Sequence, residues 1–164
     1  MSKPNLTDRE IDAAVGALWA DLASRLDRKN IGNCDRVNAA LDGDKYAACC
    51  TLVKMWRGQM MGADLSMSNS SSISKKIMMI KDADIREGFL NDFVAIRSKY
   101  RLLANEIAAL DCKLQDEQED IFEVKRWVYD SACKYSSVCK RLRLLDNGIG
   151  KTIERERPWW LRLF

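Results

Sequence analysis

An all-α fold is the class this sequence predicts, and three observations carry it. Only two prolines and eight glycines occur in 164 residues, while Ala, Leu, Arg and Lys are plentiful, a balance that favours helix over sheet. No stretch alternates convincingly with the two-residue period of a strand. From Phe89 onward, apolar residues recur three and four apart without an intervening Gly or Pro until Gly148. The expected architecture is an elongated helical bundle, built on a long heptad-patterned, coiled-coil-like helix or on an antiparallel helical hairpin. Four segments are expected: N-terminal amphipathic helices (1–64), a Ser-rich linker (65–74), the long heptad helix or hairpin (75–148), and a basic, aromatic C-terminal tail (149–164).

The first helix is announced by Leu6-Thr-Asp-Arg-Glu-Ile11. Thr7 as N-cap and Glu10 three residues on make a capping box, with Leu6 and Ile11 spaced as a hydrophobic staple. Ile11, Val15, Leu18, Leu22 and Leu26 then form one apolar stripe, carrying the helix to about Arg28 with Gly32 closing it. A short helical turn over Asp35–Leu41 leads through "LDGD" into a second amphipathic helix near Asp44–Met61. It carries Tyr46, Cys49, Val53, Trp56 and Met60, and Gly62 is its natural stop. Ser66–Ser74 has five serines and one asparagine within residues 66–72. Those side chains compete with the backbone for hydrogen bonds, so the segment reads as a loop.

The heptad region places Phe93, Ile96, Tyr100, Leu103, Ile107, Leu110, Leu114, Ile121, Val124, Val128, Tyr135, Val138, Leu142 and Leu145 in one frame, broken at Glu117 and Ser131. As a single helix it would reach about 90 Å. Charge helps to choose between the forms. Residues 111–123 carry six acids and one base, whereas residues 125–143 carry six bases and one acid, so an in-register parallel dimer would set like charges together. An antiparallel dimer crossing near Val124, or a hairpin broken near "DCKLQDEQED", avoids that. The absence of a breaker favours one helix and typical helix lengths favour the hairpin. The hairpin, covered by the N-terminal helices, is the expected monomer, and a homodimer through the heptad region stays open.

Several chemistries are excluded or demoted. The chain has no histidine, which removes Ser-His and Cys-His nucleophile pairs, histidine bases and His-containing metal sites. The six cysteines show no CxxC spacing and read as reduced thiols of a cytoplasmic protein. Neither a signal-like apolar segment nor a membrane-spanning run is legible. Asn147-Gly-Ile-Gly-Lys-Thr152 resembles the end of a P-loop, but Leu145 stands where that motif needs glycine. Gly148 is therefore expected to cap a helix, with a flexible turn after it. The dense acids Asp116, Glu117, Glu119, Asp120 and Glu123 read as a solvated face, and Asp8, Glu10 and Asp12 as acids matched to a helix dipole. No catalytic residue, cofactor or metal is expected.

Two surfaces point to binding. The last forty residues hold ten bases against four acids; Lys125, Arg126, Lys140, Arg141, Arg143, Arg155 and Arg157 are candidate phosphate contacts, with Trp127, Trp159 and Trp160 available to stack on bases. The tail Arg157-Pro-Trp-Trp-Leu-Arg-Leu-Phe164 holds Trp159, Trp160, Leu161, Leu163 and Phe164. Exposed to water they would forgo roughly 1.5–3 kcal/mol each, so they must find cover on the chain's own helices, on a partner or on a second copy. A six-residue stretch is a marginal membrane anchor. Methionines 55, 60, 61, 67, 78 and 79 cluster near the serine segment and suit core gaps better than a docking surface. The expected function is non-enzymatic binding of a protein partner, as adaptor, regulator or inhibitor; the alternative is a basic helical nucleic-acid binder using residues 125–164.

Overall fold

The computed structural model describes residues 5–26, 34–62, 72–116 and 119–161. These residues form α1 (Asp8–Arg25), α2 (Asp35–Leu41), α3 (Lys45–Gly62), α4 (Ser72–Met78), α5 (Ala83–Leu114) and α6 (Ile121–Glu156), followed by a 3₁₀ turn at Trp159–Leu161. No strand occurs among them, so the all-α class holds. Two units share the chain: Met1–Met61 with Ala104–Lys134, and Gly62–Leu103 with Tyr135–Phe164. Each of the two long helices therefore contributes one half to each unit.

Local sequence explains most helix starts. The Thr7 hydroxyl accepts from the Glu10 N–H and the Glu10 carboxylate accepts from the Thr7 N–H, both at 3.2 Å, which completes the capping box at α1. Asp44 caps α3 by accepting from the Ala47 N–H at 3.0 Å. Asp82 caps α5 through the N–H groups of Asp84 and Ile85, and Asp120 caps α6 through that of Phe122. Each carboxylate satisfies donors that the helix itself leaves orphaned. Gly43 occupies the left-handed region at φ 107°, which lets the chain reverse between α2 and α3 without Cβ strain.

In the first unit, α1 buries Ile11, Val15 and Leu22, and α3 buries Leu52, Val53, Trp56 and Met60. Ile107, Leu114, Val124 and Val128 complete the core from the long helices. Here α5 and α6 run antiparallel: Lys134 pairs with Glu106 at 3.2 Å, and the Lys113 ammonium lies 4.0 Å from the centre of the Trp127 ring. The heptad stripe ends one helix and begins the next. Leu114 closes α5 because its carbonyl accepts from the Tyr46 hydroxyl at 3.1 Å and faces the Cys50 thiol at 3.7 Å. A continuous helix would spend that carbonyl on its own backbone.

The second unit has Ile77, Ile80, Phe93, Ile96, Tyr100, Leu103, Val138, Leu145 and Ile149 at its core. Three departures from the sequence reading occur along the chain, two of them here and one, at Ser131, in the first unit. Helix α4 begins at Ser72, and Ser74 is buried, so the last residues of the expected linker are helical; residues 65–71 lie outside the described ones. Ser131, an apparent gap in the heptad frame, is buried on the seam. Most consequential, α6 does not stop at Gly148 but runs on to Glu156.

The reason for that extension is tertiary. The frame that includes Leu142 and Leu145 continues through Ile149, which is fully buried, and on to Thr152 and Glu156. The Glu156 carboxylate accepts from the N–H groups of Lys81 and Asp82 at 2.7 and 3.0 Å. At Gly148, the Phe89 ring packs 3.4 Å from where a Cβ would stand. The Gly-Ile-Gly-Lys-Thr string is thus helical, and the Thr152 hydroxyl donates to the Gly148 carbonyl, so it forms no phosphate cradle. At the N-terminal side, α1 ends at Arg25 rather than Arg28, and Gly32 falls outside the described residues.

Two stability measurements check these assignments. Because Gly148 is mid-helix with room for a methyl group in ordinary contact with Phe89, Gly148→Ala is expected to stabilise by about 0.5–1 kcal/mol. A destabilised Ala variant in urea unfolding would instead restore Gly148 as a C-cap. Tyr46→Phe, which removes the donor to the Leu114 carbonyl, is expected to lower stability by about 0.5–1.5 kcal/mol with helix content retained.

Candidate functional sites

The aromatic turn lies in the second unit. Pro158 follows the end of α6, and the Leu161 N–H donates to the Pro158 carbonyl at 2.9 Å, closing the turn. Trp159, Trp160 and Leu161 are 72, 53 and 41 % exposed. They are therefore not folded back into the core, which is the arrangement that covering by the chain's own helices would require. Leu163 and Phe164 lie outside the described residues. Glu156 joins the end of α6 to the α4–α5 turn, and that turn carries exposed Met78 and Met79, with Ile85 beyond it also exposed. The same end of this unit thus presents both aromatic and flexible apolar side chains. Elsewhere, Met60 fills the first unit's core while Met61 is exposed, and Met67 is outside the described residues.

The basic candidates separate into two groups. Lys125 is buried and hydrogen-bonded to the Asp12 carboxylate, so it is not presented on the surface to a nucleic-acid backbone. Arg126 is exposed but bonded to Asp8. Trp127 is half-buried with Lys113 over its face, which removes it as a stacking platform. Lys140, Arg141, Arg143, Arg155 and Arg157 are exposed, with Arg157 paired to Glu154 at 3.3 Å. Arg141 also edges a groove of about 380 Å³ beside Phe89, Asp92, Ile96 and Leu144. The sequence's run of bases is therefore divided: its first members hold α6 against α1, and its later members face solvent.

The acids of α1 are likewise cross-helix partners rather than dipole ornaments alone. Asp12 accepts from Lys125, and the Lys45 ammonium stands 3.9 Å from the same oxygen. Hydrogen bonding from Lys125 and its charge hold the Asp12 carboxyl below its ordinary 3.8. Asp111, buried on α5, pairs with Arg57 at 2.8 Å, and this bond raises the already high guanidinium pKa.

A cleft of about 410 Å³ opens beside the Asp12–Lys125 pair, walled by Val15, Trp19, Ala40, Ala48 and Cys49. The Cys49 thiol is pushed up to about 12 by burial and by the neighbouring Cys50, so it stays protonated at neutral pH and serves as apolar wall. Sequence reasoning missed this cleft because it assigned Asp12 to the helix dipole and Lys125 to a surface for phosphates. The legible signal was Gly16, one turn after Asp12 on the same face of α1. Among the described residues no cluster of three or more Cys, Asp or Glu is placed to hold a metal ion, and no helix is long and apolar enough to cross a membrane.

The low Asp12 pKa has a signed consequence. The folded state binds this proton less readily than the unfolded chain, so the pair's stabilisation is present above about pH 4 and is lost as pH falls through the lowered value. Urea midpoints from pH 7 to pH 2.5 should show Asp12→Asn less stable than the parent at neutral pH, with the difference closing in acid; a difference independent of pH would refute the assignment. No family model matches this chain, and comparison with curated proteins and with solved structures returns no significant match, so the functional reading rests on these residues.

Proposed function

We propose that this all-α chain is a non-enzymatic, cytoplasmic binding protein that engages a protein partner through the aromatic turn at Trp159–Leu161, acting as an adaptor, regulator or inhibitor. The observation that carries this reading is the exposure of both tryptophans, 72 and 53 %, on a turn separated from α6 by Pro158. Large aromatics in water are costly, and such residues dominate the energetics of protein interfaces once desolvated. Met78, Met79 and Ile85 extend the apolar area with side chains that adapt to a partner's shape.

The scaffold of this function, in our reading, is the elongated, coiled-coil-like pairing of α5 and α6. Its heptad seam gives the turn a stiff base, and Glu156 fastens that base to the α4–α5 turn. Rigid presentation lowers the ordering cost of association. A nucleic-acid role is less well supported, because Lys125, Arg126 and Trp127 are committed within the chain.

The test is a pull-down from the native host with and without nuclease, comparing the parent with a Trp159→Ala/Trp160→Ala variant. Expected is a nuclease-resistant protein partner whose capture falls at least tenfold in the variant, the scale of a pair of interface anchors. Circular dichroism should show unchanged helix content, because neither ring is packed in the core. Capture that disappears with nuclease, falls steeply with salt and is abolished by charge reversal at Arg141 and Arg143 would transfer the function to nucleic acid.

A further inference from the structure

Three local costs coincide at one place in the first unit. Gly16 stands inside α1, where it is about 0.5–1 kcal/mol worse than alanine. A Cβ built there meets nothing within 4 Å, so neither steric conflict nor a positive φ requires the glycine. Lys125 is 6 % exposed, a burial that lysine resists unless its charge is compensated. Trp19, which packs on the Ala40, Ala47 and Ala48 cluster, leaves part of its surface facing the cleft rather than closing it. Concentrated violations of local preference are characteristic of sites kept for function.

The geometry points to a ligand site in this cleft, and the charges select its ligand: we infer that it binds a small apolar monocarboxylate. Its volume of about 410 Å³ falls within the range of small-molecule sites. The walls are aliphatic and aromatic. Four charged residues line it, namely Asp12, Asp44, Lys45 and Lys125. Asp12 is already engaged by Lys125, and Asp44 is spent on the N-terminus of α3. Lys45 is the group left over: its ammonium is 68 % exposed and reaches Asp12 only at 3.9 Å, too long for a hydrogen bond. Lys125 retains further N–H donors beside its bond to Asp12, since an ammonium has three.

A carboxylate entering the cleft would take its charge-assisted bonds from Lys45, with Lys125 behind it, while its apolar body lies along Val15, Trp19 and Ala48. Gly16 provides the opening through which that body enters, because any side chain at this position on the Asp12 face would project into the space. A neutral ligand would leave Lys45 unused and gain only the apolar contacts. A cationic ligand would have to displace Lys125 from Asp12. Discrimination therefore favours the anion.

The test uses the full chain, ¹⁵N-labelled, titrated with indole-3-acetate and with its neutral counterpart indole-3-acetamide. Expected are saturable amide shifts confined to residues around Gly16, Lys45 and Ala48, with the acetamide weaker by roughly tenfold, the loss of one charge-assisted bond. Gly16→Leu places a side chain over the opening where a Cβ meets nothing within 4 Å and removes a helix-interior glycine, so it should fold at least as stably as the parent and lose the shifts. Lys45→Gln, at an exposed position, should fold normally and reduce carboxylate binding roughly tenfold. Shifts that never saturate, that persist in Gly16→Leu, or that the acetamide produces equally well would overturn the proposal.

Discussion

The carbonyl of Leu114 decides this fold. Between Ala83 and Glu156 the sequence repeats its apolar residues in one frame with little to stop a helix, and the local preference is to continue. In the structure the Leu114 carbonyl is taken by the Tyr46 hydroxyl and faces the Cys50 thiol, both presented by α3. Arg57, two turns further along α3, holds buried Asp111 one turn before the break. On the far side, Asp120 accepts from the N–H of Phe122 in the first turn of α6. The last turn of one helix and the first turn of the next are thus each satisfied from outside their own backbone, so the chain can reverse without leaving buried polar groups unpaired. Reversal folds one heptad seam onto itself and gives each unit a pair of antiparallel helices.

That reversal also explains the distribution of charge. The acid-rich residues 111–123 precede the base-rich residues 125–143 in the chain. In the first unit, Lys113 reaches Trp127 and Glu106 reaches Lys134. Lys125 and Arg126 turn instead to Asp12 and Asp8 of α1. Most of these pairs are exposed, and each contributes little alone. Lys125 differs because it is buried, so its single carboxylate partner is an electrostatic requirement rather than an addition. Of the acid-rich stretch, Asp111 pairs with Arg57; of the base-rich stretch, Lys125, Arg126 and Lys134 fasten helices through Asp12, Asp8 and Glu106, while Lys140, Arg141 and Arg143 face solvent.

The functional proposals rest on places where the molecule departs from the economy of the rest. Seam positions of α5 and α6 from Phe93 to Ile149 are mostly buried, and the starts of α1, α3, α5 and α6 are capped. Against that background, exposed tryptophans on a closed 3₁₀ turn and a buried lysine lining an apolar cleft are local features with a cost. The two lie in different units and call for different ligands. One is a convex aromatic surface suited to a groove in another protein; the other is a concave site of small-molecule size.

Much of the architecture is legible from short-range chemistry. Thr7 with Glu10, the Asp35–Leu41 turn, and the three-and-four spacing from Phe93 to Leu145 are local signals, and local hydrogen bonding and periodicity suffice to read them. The tail's hydrophobic load is legible for the same reason. What short-range rules could not supply was the choice among partners for groups that have several. Gly148 is a good C-cap in isolation, yet Ile149 finds a buried seat and Glu156 finds two backbone donors, so helix wins there. Lys125 has the sequence context of a solvated flank, yet Asp12, more than a hundred residues earlier, draws it into the core. The reversal after Leu114 depends on Tyr46 and Cys50 in the same way. The identity and period of the residues set which segments become helix, how most of them start and which faces are apolar; where the two long helices end is settled by long-range contacts that form only when the helices meet.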